Sequence, residues 1–222
     1  MKSVETKKSN KAFTIVLVSI VVLAIGFIAW LVWYINADPE VELCDYKNLS
    51  VNVDDAEIAT GSTALMGGLG VSTTVEEKVN QAVLNALIED SDFKYLKKTV
   101  NERYEQFLAY YQQMAGLYDY DSVEELATQY YGYESYDAFD DDVKEYSEVA
   151  IKQELVLSAI AEKEGFTVTD EIFDQYITKY LAAYDYGEDE VEAFLNDYGR
   201  ADVYGVILND YTLDKVVEWA GL

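Results

Sequence analysis

The sequence has no histidine, one cysteine (Cys44) and one proline (Pro39) among its 222 residues. A lone cysteine cannot form a disulfide within the chain, and the absence of histidine excludes Cys/His zinc sites and His-based catalytic triads. Helix breakers are scarce apart from glycines gathered between residues 61 and 70. The composition therefore favours long helices and an all-α fold, and we expect neither a metal nor another cofactor.

Basic residues are also few, with 16 Lys and Arg against 42 Asp and Glu and a net charge of −26. Four of these bases precede residue 13, so the rest of the chain is more acidic still. Such a surface repels phosphate backbones and anionic lipid headgroups, which excludes nucleic acid as an expected partner. Half of the residues are hydrophobic, enough for a real core rather than a disordered polyanion.

Residues 13–35 form an uncharged, mostly apolar run. At 1.5 Å per residue, a helix of this length crosses the roughly 30 Å hydrocarbon core of a bilayer. Trp30, Trp33 and Tyr34 lie at its C-terminal end, where aromatic rings prefer the headgroup level, and the lysines before it indicate the cytoplasmic side. We predict a cytoplasmic segment at 1–12, a single-pass transmembrane signal anchor at 13–35 and an extracytoplasmic remainder at the cell membrane.

Two other interpretations of the N-terminus are a cleaved signal peptide and a lipoprotein. A signal peptide has a shorter apolar region and a small-residue cleavage site, which is missing after Ile35. Lipidation of Cys44 is disfavoured by the bulky Leu43 before it and by the polar stretch that separates it from the apolar run.

The outer part is predicted to contain an extended segment and linker at 36–73 and a helical domain at 74–222. Capping boxes are predicted at Thr74 to Glu77 and at Ser122 to Glu125, because each pairs a hydroxyl with a glutamate three residues later. Apolar stripes predict one helix from Val75 to Leu87 and a longer one from Phe93 to Tyr118, followed by a short helix that ends at Tyr130. A long helix is predicted from Val143 to Glu164, ended by Gly165, and the next helix is capped by Thr169. The last two predicted helices lie near 188–198 and 201–220.

Three stretches resemble trigger factor. PEVELCDYKNLSV is similar to the segment that precedes its prolyl-isomerase domain, and VEEKVNQAVLNALIEDSDF resembles the start of its C-terminal domain. VAIKQELVLSAIAEKEGFTVTDEIFDQYITKYLAAY resembles the end of that domain. The resemblance implies a trigger-factor C-terminal chaperone domain, related to SurA-like helical chaperones, with long arm helices around a cavity that holds unfolded chains.

The departures limit what the resemblance implies. The stretch between Tyr46 and Val75 is too short for an FKBP-type isomerase domain, and the membrane anchor stands in place of the ribosome-binding domain. Neither isomerase activity nor ribosome binding is therefore expected, and the protein is not expected to be an enzyme. The family commonly has a proline after the position of Phe93, and this chain lacks it. The angle at which the chain enters the arm helix is therefore not predicted.

The resemblance implies binding of unfolded or nascent secreted polypeptides, as a membrane-anchored holdase that assists protein folding and transport. Amphipathic tyrosine and adaptable methionine suit such a surface. The alternative for each of these side chains is a place in the helical core. The candidate client-binding residues are Tyr104, Phe107, Tyr110, Tyr111, Met114, Tyr118, Tyr130, Tyr131, Tyr176, Tyr180 and Tyr184.

Other functions remain as alternatives. The same fold could serve as a dedicated adaptor for one partner of a secretion or envelope complex, or belong to a residual peptidyl-prolyl isomerase. Asp140, Asp141 and Asp142 could bind calcium, although no EF-hand pattern follows them. The glycines at 67–70 lack the strand and the lysine of a phosphate loop, so a linker is the expected structure there.

Overall fold

The computed structural model describes residues 37–53 and 74–222. In this part the elements are β1 (Glu40–Glu42), a 3-10 turn (Tyr46–Asn48), α1 (Val75–Asp90), β2 (Asp92–Lys94), α2 (Lys97–Leu117), α3 (Val123–Glu125), a π-helical turn (Leu126–Tyr130), α4 (Tyr136–Glu164), α5 (Asp170–Ala183), α6 (Val191–Tyr198) and α7 (Arg200–Trp219). The predicted all-α fold is confirmed as a mostly helical structure in these residues, and the predicted extended segment contributes one short strand. The predicted anchor at 13–35 and most of the linker lie outside the described residues.

Helix boundaries follow local capping chemistry. At the start of α1, the Thr74 hydroxyl accepts from the Glu77 amide and the Glu77 carboxylate accepts from the Thr74 amide, which confirms the first capping box. Thr169 caps α5 and Gly165 ends α4 in the left-handed conformation, both as predicted. The second predicted capping box forms only in part. The Ser122 hydroxyl accepts from the Glu125 amide as predicted, but the Glu125 carboxylate accepts from the amide of Asp121 rather than from that of Ser122.

The structure corrects two predicted boundaries. Helix α4 begins at Tyr136, not near Val143, because the Ser135 hydroxyl accepts from the Ala138 amide and starts the helix there. Its 29 residues extend over about 43 Å. The stripe predicted from Phe93 also divides, since Phe93 lies in β2 and α2 starts only at Lys97.

The buried side chains form a body and two arms. The body packs α1, the C-terminal halves of α4 and α7, and the 3-10 turn around Leu87, Ile160 and Val216. The first arm packs α2, α3, the π-helical turn and the N-terminal part of α4 around Phe139. The second arm packs α5, α6 and the N-terminal part of α7 around Phe194. Helices α4 and α7 thus each connect an arm to the body.

The extended segment at residues 37–53 packs against the body. Strands β1 and β2 pair antiparallel, with Glu40 opposite Lys94. Tyr46 is only 3% exposed, and its hydroxyl donates to the Glu164 carboxylate at 2.6 Å. Burial, followed by this hydrogen bond, raises the pKa of Tyr46 to about 12. The extended segment is therefore part of the folded body rather than a free tether.

Candidate functional site

The first arm exposes a group of apolar side chains at its outer end. Tyr110, Leu117, Tyr118 and Tyr130 are 50%, 73%, 45% and 49% exposed, and we call these four residues the tyrosine tip. The rings of Tyr118 and Tyr130 stack with their centroids 5.1 Å apart and their planes 18° from parallel. Large apolar side chains in solvent are informative when they gather, because a gathered patch is a candidate contact surface.

The tyrosine tip stands on a packed aromatic base. The rings of Tyr130 and Tyr131 are nearly perpendicular with their centroids 5.1 Å apart, and Tyr131 stacks on the fully buried Phe139 with centroids 6.5 Å apart. Tyr111 joins Tyr110 to the same base, with its ring 5.4 Å from Tyr110 and 5.0 Å from Phe139. Edge-to-face and offset contacts of this kind are the favoured aromatic geometries. They hold the exposed rings in place without covering them.

Local backbone features place these rings. Helix α2 ends at Leu117, Tyr118 is its C-cap, and Asp119 then takes a positive φ of 60°, which turns the chain back toward α3. The next segment, Leu126–Tyr130, is π-helical, with Leu126 buried and Tyr130 directed to solvent. Single π-turns of this kind occur often at functional sites.

The predicted site residues divide by burial. Tyr110, Tyr118, Tyr130 and Tyr184 are exposed. Phe107, Met114 and Tyr131 are half-buried against the core of the first arm. Tyr111 and Tyr176 are buried, with only 4% and 6% of their surface in contact with solvent. The structure thus brings the candidates of the first arm together, and those of the second arm lie around a separate core.

Three of the candidate tyrosines use their hydroxyl groups inside the fold. Tyr104 donates to Asp140, Tyr176 to Asp214 and Tyr180 to Asp210. Burial, followed by these hydrogen bonds, raises the pKa of each of the three phenols. Their neutral hydroxyls tie neighbouring helices together, so these side chains serve packing first.

A second aromatic surface lies at the end of the second arm. Tyr184 and Tyr198, 51% and 43% exposed, have ring centroids 4.8 Å apart, and Tyr198 also lies 4.8 Å from the buried Phe194. Sequence reasoning missed Tyr198 and Leu117. Both are the last residue of a helix, so their exposure depends on where α2 and α6 end, which the sequence pattern does not define.

The first arm is strongly acidic. Residues 104–146 contain eleven acids and one base, Lys144. That lysine pairs with Asp140 at 2.6 Å. Burial alone would raise the pKa of Asp140, but hydrogen bonds from Lys144 and Tyr104 outweigh it and hold the pKa below its usual value. The tyrosine tip therefore combines apolar rings with a negative field that attracts basic chains.

The structure offers little for bound ions. Within residues 37–53 and 74–222, no group of three or more histidine, cysteine, aspartate or glutamate side chains could hold a metal. Asp140, one of the three aspartates considered for calcium, already pairs with Lys144 and accepts a hydrogen bond from Tyr104. The glycines at 67–70 lie outside the described residues. Among the helices of the described part, none is long and apolar enough to cross a membrane.

Comparison with known proteins gives a consistent picture. A family model for the C-terminus of bacterial trigger factor protein matches residues 71–220. Trigger factor of Carboxydothermus hydrogenoformans is 27% identical over 150 residues, covering 64% of this chain and 32% of that protein. Trigger factor of Clostridioides difficile is 35% identical over 75 residues, covering 34% of this chain and 18% of that protein. The chain thus spans a third or less of these relatives, and no solved structure matches it significantly.

Proposed function

The chain belongs to the family of bacterial trigger factor C-termini, and from this premise we propose that it is a chaperone that holds unfolded polypeptides at the tyrosine tip. The observation that carries the proposal is the set of four exposed apolar side chains at the end of the first arm, three of which are tyrosines whose rings pack on the aromatic base below them. A holding surface needs apolar contact without one fixed shape. Tyrosine supplies a broad ring with a polar edge, so it binds apolar segments and stays hydrated when empty.

The proposal includes the location. Residues 13–35 anchor the chain in the cell membrane with its N-terminus in the cytoplasm, and the helical domain meets secreted or membrane proteins on the outer face. The uncharged run of residues and the lysines before it support this placement. The clients are unfolded or nascent secreted chains, and neither the ribosome nor nucleic acid is a partner.

The proposed cycle has no covalent step. A client buries apolar segments against the tyrosine tip, and the second aromatic surface extends the contact for longer segments. Release follows when the client folds and hides those segments, so no nucleotide is needed. The acidic field around the tip keeps the loaded complex soluble.

The test is suppression of aggregation. Several unrelated, chemically denatured proteins are diluted into buffer containing the full chain in lipid nanodiscs, and light scattering is followed. We expect suppressed scattering for most of them at near-stoichiometric ratios. A variant with Leu117, Tyr118 and Tyr130 replaced by serine should lose most of this effect.

The control variant replaces three exposed apolar side chains outside both aromatic surfaces, Val75, Val206 and Leu222, by serine. It should suppress scattering as well as the natural chain does. No suppression of any client by the natural chain would contradict the holdase. In that case a single stoichiometric partner, captured by the intact chain and lost with the tip variant, would favour the adaptor.

A further inference from the structure

Lysines gather at one place on this acidic molecule. Lys94, Lys97 and Lys98 are exposed where β2 leads into α2, and we call them the lysine strip. Residues 92–103 contain four bases and two acids, the reverse of the acidic first arm that follows. Within the described part of the chain Lys94 and Lys97 form no ion pair, and Lys98 lies 3.9 Å from Glu102. The strip therefore presents positive charge to solvent.

The position of these lysines opposes the stability of α2. Lys97 and Lys98 are its first two residues, its N-cap Leu96 makes no side-chain cap, and its first turn contains no acid. The other six helices of the described residues all have an acid in the first turn. Positive charge at a helix N-terminus is unfavourable because it meets the positive end of the helix dipole. Residues that break a local rule are where a function outside folding is expected.

The strip also lies close to the predicted membrane boundary. Glu40 in β1 lies five positions after Ile35, the last residue of the apolar run, and an extended chain of five steps reaches at most about 18 Å. Glu40 is the register partner of Lys94, about 5 Å away between Cα atoms of an antiparallel pair. Lys94, at one end of the lysine strip, is thus held within roughly 25 Å of the point where the chain would leave the bilayer.

We propose that the lysine strip contacts anionic lipid headgroups of the membrane in which the chain is anchored, an inference that depends on the proposed anchor. Basic residues close to an anionic membrane each contribute about 1 kcal/mol of attraction. Glu40, Glu42 and Asp92 of the same strand pair reduce this attraction but do not cover Lys97 and Lys98, which are exposed. The acidic first arm is repelled by the same surface. Together the two effects turn the tyrosine tip away from the membrane, where it is open to clients.

Amine acetylation of the full chain in nanodiscs tests this contact. The nanodiscs contain either phosphatidylcholine alone or phosphatidylcholine with phosphatidylglycerol, and labelling of each lysine is measured by mass spectrometry. We expect Lys94, Lys97 and Lys98 to react at least about threefold more slowly on the anionic nanodiscs, in line with the attraction of a basic segment to such lipids. Added salt should abolish this protection because the attraction is screened.

The matched controls are Lys78, Lys144 and Lys215, which lie outside the strip and should react equally on both nanodiscs. Equal labelling of the strip on both, in a chain that co-purifies with the nanodiscs, would overturn the lipid contact and leave the anchor standing. Protection of Lys144 instead would overturn the proposed orientation. Failure of the chain to enter nanodiscs at all would overturn the anchor and this inference together, while client holding is judged separately by scattering in detergent.

Discussion

At the scale of single residues, the tyrosines of this chain have two roles that the sequence does not separate. Tyr176 and Tyr180 lie in an amphipathic stripe and were predicted as client contacts, yet they donate to Asp214 and Asp210 of α7. Tyr118 and Tyr130 belong to equally regular patterns and are exposed. For Tyr176 and Tyr180 the packing role depends on a carboxylate of the neighbouring helix, and this tertiary contact cannot be inferred from spacing along one helix.

The Tyr176 hydroxyl offers a direct test of the packing role. Replacing Tyr176 by phenylalanine removes the hydrogen bond from this buried side chain to the exposed Asp214 carboxylate, so we expect the free energy of unfolding to fall by about 1 kcal/mol. The same change at the exposed Tyr184 should stay within about 0.5 kcal/mol. Urea unfolding followed by circular dichroism measures both. Equal effects of the two substitutions would contradict the packing role.

A second residue-scale prediction concerns alkaline pH. Burial and the hydrogen bond to Asp140 raise the pKa of Tyr104 to about 12, whereas a tyrosine in an unfolded chain titrates near 10. Because the raised pKa favours the protonated folded form, this stabilisation is complete below about pH 10 and is lost as pH rises toward about 12. Between these limits the Tyr104→Phe variant should lose less unfolding free energy than the natural chain. Urea titrations at several pH values would contradict this if both proteins lost stability in parallel.

At the scale of elements, helix ends were predicted best where a capping residue stands directly beside the helix in the sequence. Thr74, Thr169 and Gly165 are local signals, and the structure places all three helix ends there. The early start of α4 was missed because Ser135 follows a glycine and aromatic stretch that reads as a turn. The π-helical turn at Leu126–Tyr130 was also missed. This turn places Leu126 and Ala127 in the core of the first arm, and no periodicity in the sequence predicts it.

Two glycines test the effect of backbone conformation on element stability. Gly165 ends α4 with a φ of 72°, whereas Gly205 lies within α7, and an added Cβ would meet nothing within 4 Å at either position. Gly205→Ala should raise the free energy of unfolding by about 0.5 to 1 kcal/mol, because alanine favours helix and restricts the unfolded chain. Gly165→Ala should lower it by about 1 to 2 kcal/mol, because a Cβ disfavours the left-handed conformation. Effects of the same sign in urea unfolding would be inconsistent with this conformational explanation.

At the scale of the whole molecule, the family and the helical fold were predictable from the sequence, whereas the division into a body and two arms was not. The caps and stripes define helices one at a time. Helices α4 and α7 each pass from one hydrophobic cluster into another, from Phe139 to Ile160 and from Val203 to Val216, although their apolar stripes are continuous. Each arm is built from consecutive elements, whereas the body joins α1, α4 and α7, which are distant in sequence. The sequence predicted which part of the chain carries the candidate surface, but not all of the residues that form it. Leu117 and Tyr198 were missed because their exposure depends on where α2 and α6 end.

The most direct test of client holding at the tyrosine tip is hydrogen exchange of the full chain in nanodiscs, with and without a permanently unfolded client. Bound client should slow amide exchange in residues 107–134, which include the end of α2 and the π-helical turn, and should leave α1 unchanged. The variant with serine at positions 117, 118 and 130 should not show this protection. Slowed exchange confined to the body, or no change anywhere in the presence of a client whose aggregation is suppressed, would contradict holding at the tip.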